Sequence, residues 1–292
     1  MNDIFDQDFL RRLENLELVS RKLRRGRNSG ERRSLRKGSA VEFADYRNYT
    51  DGDDTRYIDW NSYARSEKLF IKLFMEEQDL LVNILIDTSA SMEWGEPAKS
   101  RLALQLAAAL SWLALCGYDR VALAACNEGL ASWQPPLRGK TSRAQLWDYL
   151  ISLNWQGATD LTAAIKSFGP FCRGAGLCFV ISDLMSPNDF KSGLKYLQYL
   201  GQEVVVLQIL SPDELTPELG GDYRLLDRET RETREITANP ALLRAYHRRL
   251  QEFIKENRDF CMRRGIGFLQ VSSAEPFEDI ILRHLPRAGI LK

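Results

Sequence analysis

From about Leu69 onward, apolar runs alternate with amphipathic stretches along the chain. Residues 80–86, 121–125, 177–181, 204–209 and 266–271 are rich in Val, Ile and Leu with no polar alternation. Such continuous apolar runs predict strands buried on both faces, as in a parallel sheet. Helical spacing falls between them at about 97–116, 143–152, 160–171, 188–199 and 240–263, the last opened by Asn239-Pro240. Strand and helix in repetition predict an α/β fold: a doubly wound, mostly parallel sheet flanked by helices. The stretches 223–226 and 233–236, separated by charged residues, predict a small hairpin. The helix at 240–263 and the strand after it predict that the residues beyond 210 complete the sheet rather than cap it.

The first 75 residues break this rhythm. Phe5, Phe9, Leu10, Leu13, Leu16 and Leu23 recur at near-helical spacing, predicting an amphipathic helix over 5–24. A basic stretch follows: 21–37 holds nine Lys or Arg and one acid, Glu31, for a local charge of +8. Residues 41–60 reverse the sign, with six acids against two Arg. The predicted organisation is an N-terminal extension over 1–75, with helix, basic arm and acidic signature, and an α/β domain over 76–292.

The total charge hides this polarity. Forty Lys and Arg balance forty Asp and Glu among 292 residues, so no global field steers the chain toward nucleic acid or a membrane surface. The basic arm lacks interleaved aromatics and is followed at once by acids, so it reads as solvated or partner-facing rather than as a nucleic-acid contact. Residues 102–118 carry no charge, yet Gln105 and Ser111 interrupt them and strands follow, so a buried core helix is expected rather than a membrane span. The N-terminus resembles no targeting signal. Five Cys without a C-x-x-C pair and two distant His exclude a disulfide scaffold and a tetrahedral zinc site, and they point to a reducing, cytoplasmic setting.

Candidate chemistry gathers at strand ends. The first buried run leads into Ile86-Asp87-Thr88-Ser89-Ala90-Ser91, a D-x-S-x-S pattern where the chain leaves the sheet. Ligands of open α/β sheets bind outside the carboxyl ends of strands, where strand order reverses. Gly157-Ala158-Thr159-Asp160 opens a helix and presents oxygen from Thr159 or Asp160, and Ser182-Asp183 ends a later strand. In a 3-2-1-4-5 order these three segments converge. Hydroxyls with one or two carboxylates suit Mg²⁺, a hard cation that takes oxygen ligands and retains water. Neutral hydroxyl ligands leave such an ion electrophilic toward an outside carboxylate. The competing reading is that these carboxylates simply cap the segments that follow them.

The loop, with Thr159 and Asp183, resembles the metal-ion-dependent adhesion site of von Willebrand factor A domains. The run from Gly38 to Arg65, GSAVEFADYRNYTDGDDTRYIDWNSYAR, resembles the signature of a bacterial and archaeal family, the domain of unknown function 58. The resemblance covers about 25–210 and implies metal ligands at Asp87, Ser89, Ser91 and Thr159, with Asp183 bound directly or through water. It further implies an association with MoxR-type AAA+ ATPases in assembly or maturation of other complexes, a chaperone-like role. Many relatives carry N-terminal membrane spans that this sequence does not show.

Within that run, Arg47, Asp53, Asp54, Arg56, Asp59 and Arg65 alternate in sign among Tyr46, Tyr49, Tyr57 and Trp60. The pattern reads as an ion-paired structural clasp. Use of Asp53 and Asp54 as paired catalytic carboxylates finds no accompanying His or nucleophile. The expected function is therefore a non-enzymatic, Mg²⁺-dependent module that grips an acidic side chain of a protein partner, plausibly a MoxR-type ATPase or its client. The alternative is a Mg²⁺-dependent phosphoryl hydrolase of the haloacid dehalogenase type. Such enzymes need a second Asp two residues after the first, where this chain has Ser89. Nucleotide binding is disfavoured because no glycine-rich phosphate loop follows a predicted strand.

Overall fold

The computed structural model describes residues 18, 42–75, 80–172, 174–186, 188–217, 220–226, 229 and 233–291. The expected helix over 5–24 and the basic arm over 21–37 lie outside the described residues, except Leu18, which pairs with Leu291 in an isolated antiparallel bridge. The chain divides into two compact units, one over 22–79 and the other running from Leu80 onward and including Leu18.

In the smaller unit, β1 (Glu42–Asn48) pairs antiparallel with β2 (Phe70–Met75), a ribbon that the sequence pattern does not predict. The signature contains β1, and its part beyond Asn48 lies between these strands. Asp54 caps a 3-10 turn (Thr55–Tyr57), and Asp59 caps α1 (Trp60–Ser66) by accepting from the Asn61 N–H at 3.1 Å and the Ser62 hydroxyl at 2.9 Å. Ile58 bridges Ile71, and both are buried. Asp53 accepts from Arg47 at 2.7 Å and from the Thr50 N–H and hydroxyl at 2.9 Å each, while Asp54 pairs with Arg56 at 2.5 Å. Hydrogen bonds from these arginines hold both carboxyls down at about 2. Each acid thus serves its own arginine and turn, an arrangement opposite to a proton-sharing pair.

The larger unit contains β3 (Leu81–Asp87), β4 (Arg120–Cys126), β5 (Leu130–Arg138), β6 (Gly176–Ser182), β7 (Gln202–Leu210) and β10 (Gly267–Ser272) in one six-stranded sheet of order β10-β7-β6-β3-β4-β5. Five strands run parallel and β5 closes one edge antiparallel to β4. The fold is therefore a doubly wound, mostly parallel α/β sheet, and β10 completes it as the sequence predicts. Among the described residues, the two-stranded ribbon of β8 (Gly221–Leu226) and β9 (Thr233–Ala238) pairs only with itself.

Helices cover both faces. Leu85, Cys178, Val180, Val204 and Val206 share a core with residues of α4 (Leu161–Phe168), α5 (Phe190–Tyr199) and α7 (Pro240–Arg263). Successive strand residues alternate faces, so Val82, Ile84 and Ile86 turn to the other side. There α2 (Lys99–Cys116) packs on β3 and β4 and against α3 (Arg143–Ile151). The uncharged segment 102–118 lies largely in α2, which is buried from Leu106 to Leu115. No helix among the described residues is long and apolar enough to cross a membrane. Cys126, Cys172, Cys178 and Cys261 are buried and Cys116 is half-buried, all as free thiols; burial pushes Cys172 and Cys261 up to about 12.

Candidate metal-binding site at the strand-order switch

From β3 the chain winds outward in one direction through β4 and β5, then returns to β6 and winds the other way through β7 and β10. The reversal lies between β3 and β6, which are hydrogen-bonded neighbours from Leu81↔Gly176 to Ile86↔Ile181. Asp87 is the last residue of β3 and Asp183 follows the last residue of β6. The close pairing depends on Gly176, where a Cβ would stand 2.5 Å from the Leu81 carbonyl oxygen.

Backbone hydrogen bonds tie the loops around this point. The Ala90 N–H donates to the Gly157 carbonyl at 3.0 Å, and the Gln156 N–H to that of Thr88 at 2.9 Å. Thr88 and Asp160 are in turn pinned to the end of β4 and the residue beyond it, through the Cys126 and Asn127 carbonyls. Gly157 turns the chain at φ +83, a conformation that favours glycine, just before Thr159. The Ser186 hydroxyl donates to the Thr159 carbonyl at 2.8 Å, tying the loop after β6 to the same place. The structure thus brings Asp87, Ser89, Ser91, Thr159 and Asp183 to one edge of the sheet.

Asp87 is fully buried. Its Oδ1 accepts from the Ser89 N–H at 3.0 Å and its Oδ2 from the Ser182 hydroxyl at 2.6 Å. Burial first, and the nearby Asp183 carboxylate second, push its carboxyl up to about 7. The hydroxyl oxygens of Ser89 and Ser91 stand 3.0 Å apart, forming a pair of neutral donors beside it. Asp183 is also buried, but its Oδ1 accepts from the Met185 N–H at 2.9 Å and its Oδ2 from the Lys99 ammonium at 2.6 Å. Between Asp183 and Met185, Leu184 takes a left-handed backbone at φ 61, a strained conformation at the site's edge. Asp160 caps α4 through the Ala163 N–H at 2.8 Å and binds the Asn188 amide. Its cap role separates it from the other five candidate-site residues.

Three site neighbours are invisible to the sequence pattern. Lys99 opens α2, is completely buried, and bridges Asp183 to Glu214 at 2.6 and 2.5 Å. Burial alone would lower its pKa, but the two carboxylates outweigh burial and hold the ammonium above its ordinary value. Glu214 belongs to a capping box with Ser211 at the short helix α6 (Pro212–Leu215). That S-x-x-E spacing after a strand was readable, although its link to Lys99 was not. Glu229 reaches Thr159, its Oε2 accepting from the N–H at 3.1 Å and its Oε1 from the hydroxyl at 3.0 Å. Nothing in the charged run around it singles Glu229 out.

These residues suit a hard divalent cation. Asp87 is a buried carboxylate with two hydrogen bonds and, among the described residues, no ion pair, so a counter-charge at its free edge would relieve its burial. Ser89, Ser91 and Thr159 add neutral oxygens, the ligand class that Mg²⁺ takes. Among the described residues no three His, Cys, Asp or Glu side chains group to hold a metal. Asp183, expected to contribute directly or through water, has one of its oxygens occupied by Lys99.

Residues 45–256 match the family described as "Protein of unknown function DUF58". The "Uncharacterized protein Rv1480" of Mycobacterium tuberculosis is 27% identical over 245 residues, spanning 82% of this chain and 77% of that protein. Among solved structures, BatB from Bacteroides thetaiotaomicron is similar at 15% identity over 72% of this chain and 98% of that one, with a TM-score of 0.45. The SpRpn10 von Willebrand factor A domain is similar at 10% identity over 70% and 94%, with a TM-score of 0.42.

Proposed function

The chain belongs to the family of proteins of unknown function DUF58, and from that premise we propose that its α/β unit is a Mg²⁺-dependent protein-binding module. The observation that carries this reading is the convergence, at the strand-order switch, of one buried carboxylate that lacks an ion pair among the described residues and three hydroxyls on separately anchored loops. Asp87 supplies the charge, and Ser89, Ser91 and Thr159 supply neutral oxygens. Asp183, tied to Lys99, orients the site and contributes through water. A bound Mg²⁺ would remain electrophilic beside so many neutral donors and would take an outside carboxylate as its last ligand. The partner accordingly presents an Asp or Glu at its contact surface, and a MoxR-type AAA+ ATPase or its client is the proposed partner.

Ser89 stands two residues after Asp87, where the phosphoryl-hydrolase alternative needs a carboxylic acid, and its hydroxyl faces Ser91. The binding reading is tested with the full chain and a purified MoxR-type ATPase from the same host, with binding measured in Mg²⁺ and in EDTA. Loss of binding in EDTA and in a folded Asp87→Ala variant supports it. Binding indifferent to both overturns it.

A further inference from the structure

Glu229 lies 70 residues along the chain from Thr159, yet its carboxylate takes both the N–H and the hydroxyl of that residue, at 3.1 and 3.0 Å. It lies between β8 and β9, a ribbon that pairs with no other strand among the described residues. Thr159 is buried and Glu229 is half-buried, so the contact is sheltered from competing water. A threonine hydroxyl that donates its proton to a carboxylate keeps its oxygen lone pairs free for a cation. Glu229 therefore brings to Thr159 the same chemical group that the proposed module would accept from a partner. Its acid is tethered to the chain, and such intramolecular groups act at effective concentrations of about a millimolar.

We propose that Glu229 is the built-in acidic ligand of this site: in the partner-free chain its carboxylate completes the coordination of the cation held by Asp87, Ser89, Ser91 and Thr159. This inference rests on the metal-binding reading and adds regulation to it. A partner carboxylate gains the cation by displacing Glu229 rather than by filling an open position. Displacement is inexpensive in structural terms because a lone two-stranded ribbon is marginal by itself and carries exposed residues such as Asp222, Tyr223 and Arg224. The apparent affinity for a partner is reduced by the fraction of chains in which Glu229 has left the site.

Calorimetric titration of the full chain with Mg²⁺ alone, after stripping with EDTA, tests this on three proteins: the natural chain, Asp87→Ala and Glu229→Gln. Glu229→Gln preserves size and removes the charge together with one of the two acceptor oxygens that Thr159 uses. Equal thermal unfolding of Glu229→Gln and the natural chain in EDTA establishes that both are folded. The expected result is measurable binding by the natural chain, none by Asp87→Ala, and binding about 10- to 100-fold weaker by Glu229→Gln. If Glu229→Gln binds as tightly as the natural chain while Asp87→Ala does not bind, the role of Glu229 is overturned and the metal site stands. If the natural chain and Asp87→Ala behave alike, the metal site itself is overturned and the Glu229 proposal falls with it. A further substitution, Glu229→Ala, should weaken Mg²⁺ binding at least as much as Glu229→Gln; unchanged affinity would likewise overturn the proposal.

Discussion

The ammonium of Lys99 donates to Oδ2 of Asp183 at 2.6 Å, with both side chains closed off from solvent. The same ammonium reaches Glu214 at 2.5 Å. One cation thus neutralises two carboxylates from elements 84 and 115 residues away, and joins α2 to the segments after β6 and β7. The arrangement leaves Asp87 as the site's buried acid without an ion-paired lysine or arginine among the described residues.

Removing that cation strands two carboxylates. Lys99→Met should cost about 3–5 kcal/mol of folding stability, the usual consequence of breaking a buried ion pair from one side. Urea unfolding checks this, and a loss below about 1 kcal/mol would show that Asp183 and Glu214 find other partners or protons.

Asp87 predicts a pH dependence of the metal-free chain. Burial and Asp183 raise its folded-state value from the ordinary 3.8 to about 7. Between these values the folded chain holds a proton that the unfolded chain has released, so this group's contribution is fully present below about 4 and is lost as pH rises through about 7. Asp87→Asn cannot ionise and should therefore be more stable than the natural chain in EDTA at pH 8, with the two converging near pH 4. The difference in melting temperature across that range is the readout; a difference independent of pH would contradict the assignment.

Gly176 predicts a local packing effect. An alanine there would place Cβ 2.5 Å from the Leu81 carbonyl and 2.8 Å from the Gln202 amide oxygen, prising β6 from β3. Gly176→Ala should destabilise by about 1–3 kcal/mol. Gly129→Ala, with nothing within 4 Å of the added carbon, is the control and should change stability by less than about 0.5 kcal/mol.

The buried strands and principal helices were legible because their periods are strong: 81–86 is apolar but for Asn83, 204–209 is apolar but for Gln208, and Asn239-Pro240 announces α7. β5 was not, because none of its residues is fully buried and it contains Pro135-Pro136. Proline in a strand is tolerated at a sheet edge, and this strand lies there. The β1–β2 ribbon was hidden by the charges of the signature. Asp87 and Asp183 were legible as candidate-site residues because one ends β3 and the other directly follows β6, and Ser89, Ser91 and Thr159 because they lie in short loops beyond strand ends. Lys99, Glu214 and Glu229 were not, since their roles come from pairings across 70 to 115 residues that no local spacing records.

The most direct measurement of the central claim is Mn²⁺ binding, followed by electron paramagnetic resonance, in the full chain and in a Ser89→Ala/Ser91→Ala double variant. Those hydroxyls stand 3.0 Å apart beside Asp87, and their loss changes no charge. The account predicts one Mn²⁺ per natural chain at this site, displaced by excess Mg²⁺, and at least tenfold weaker binding in the double variant. Equal Mn²⁺ affinity in the two proteins would contradict it.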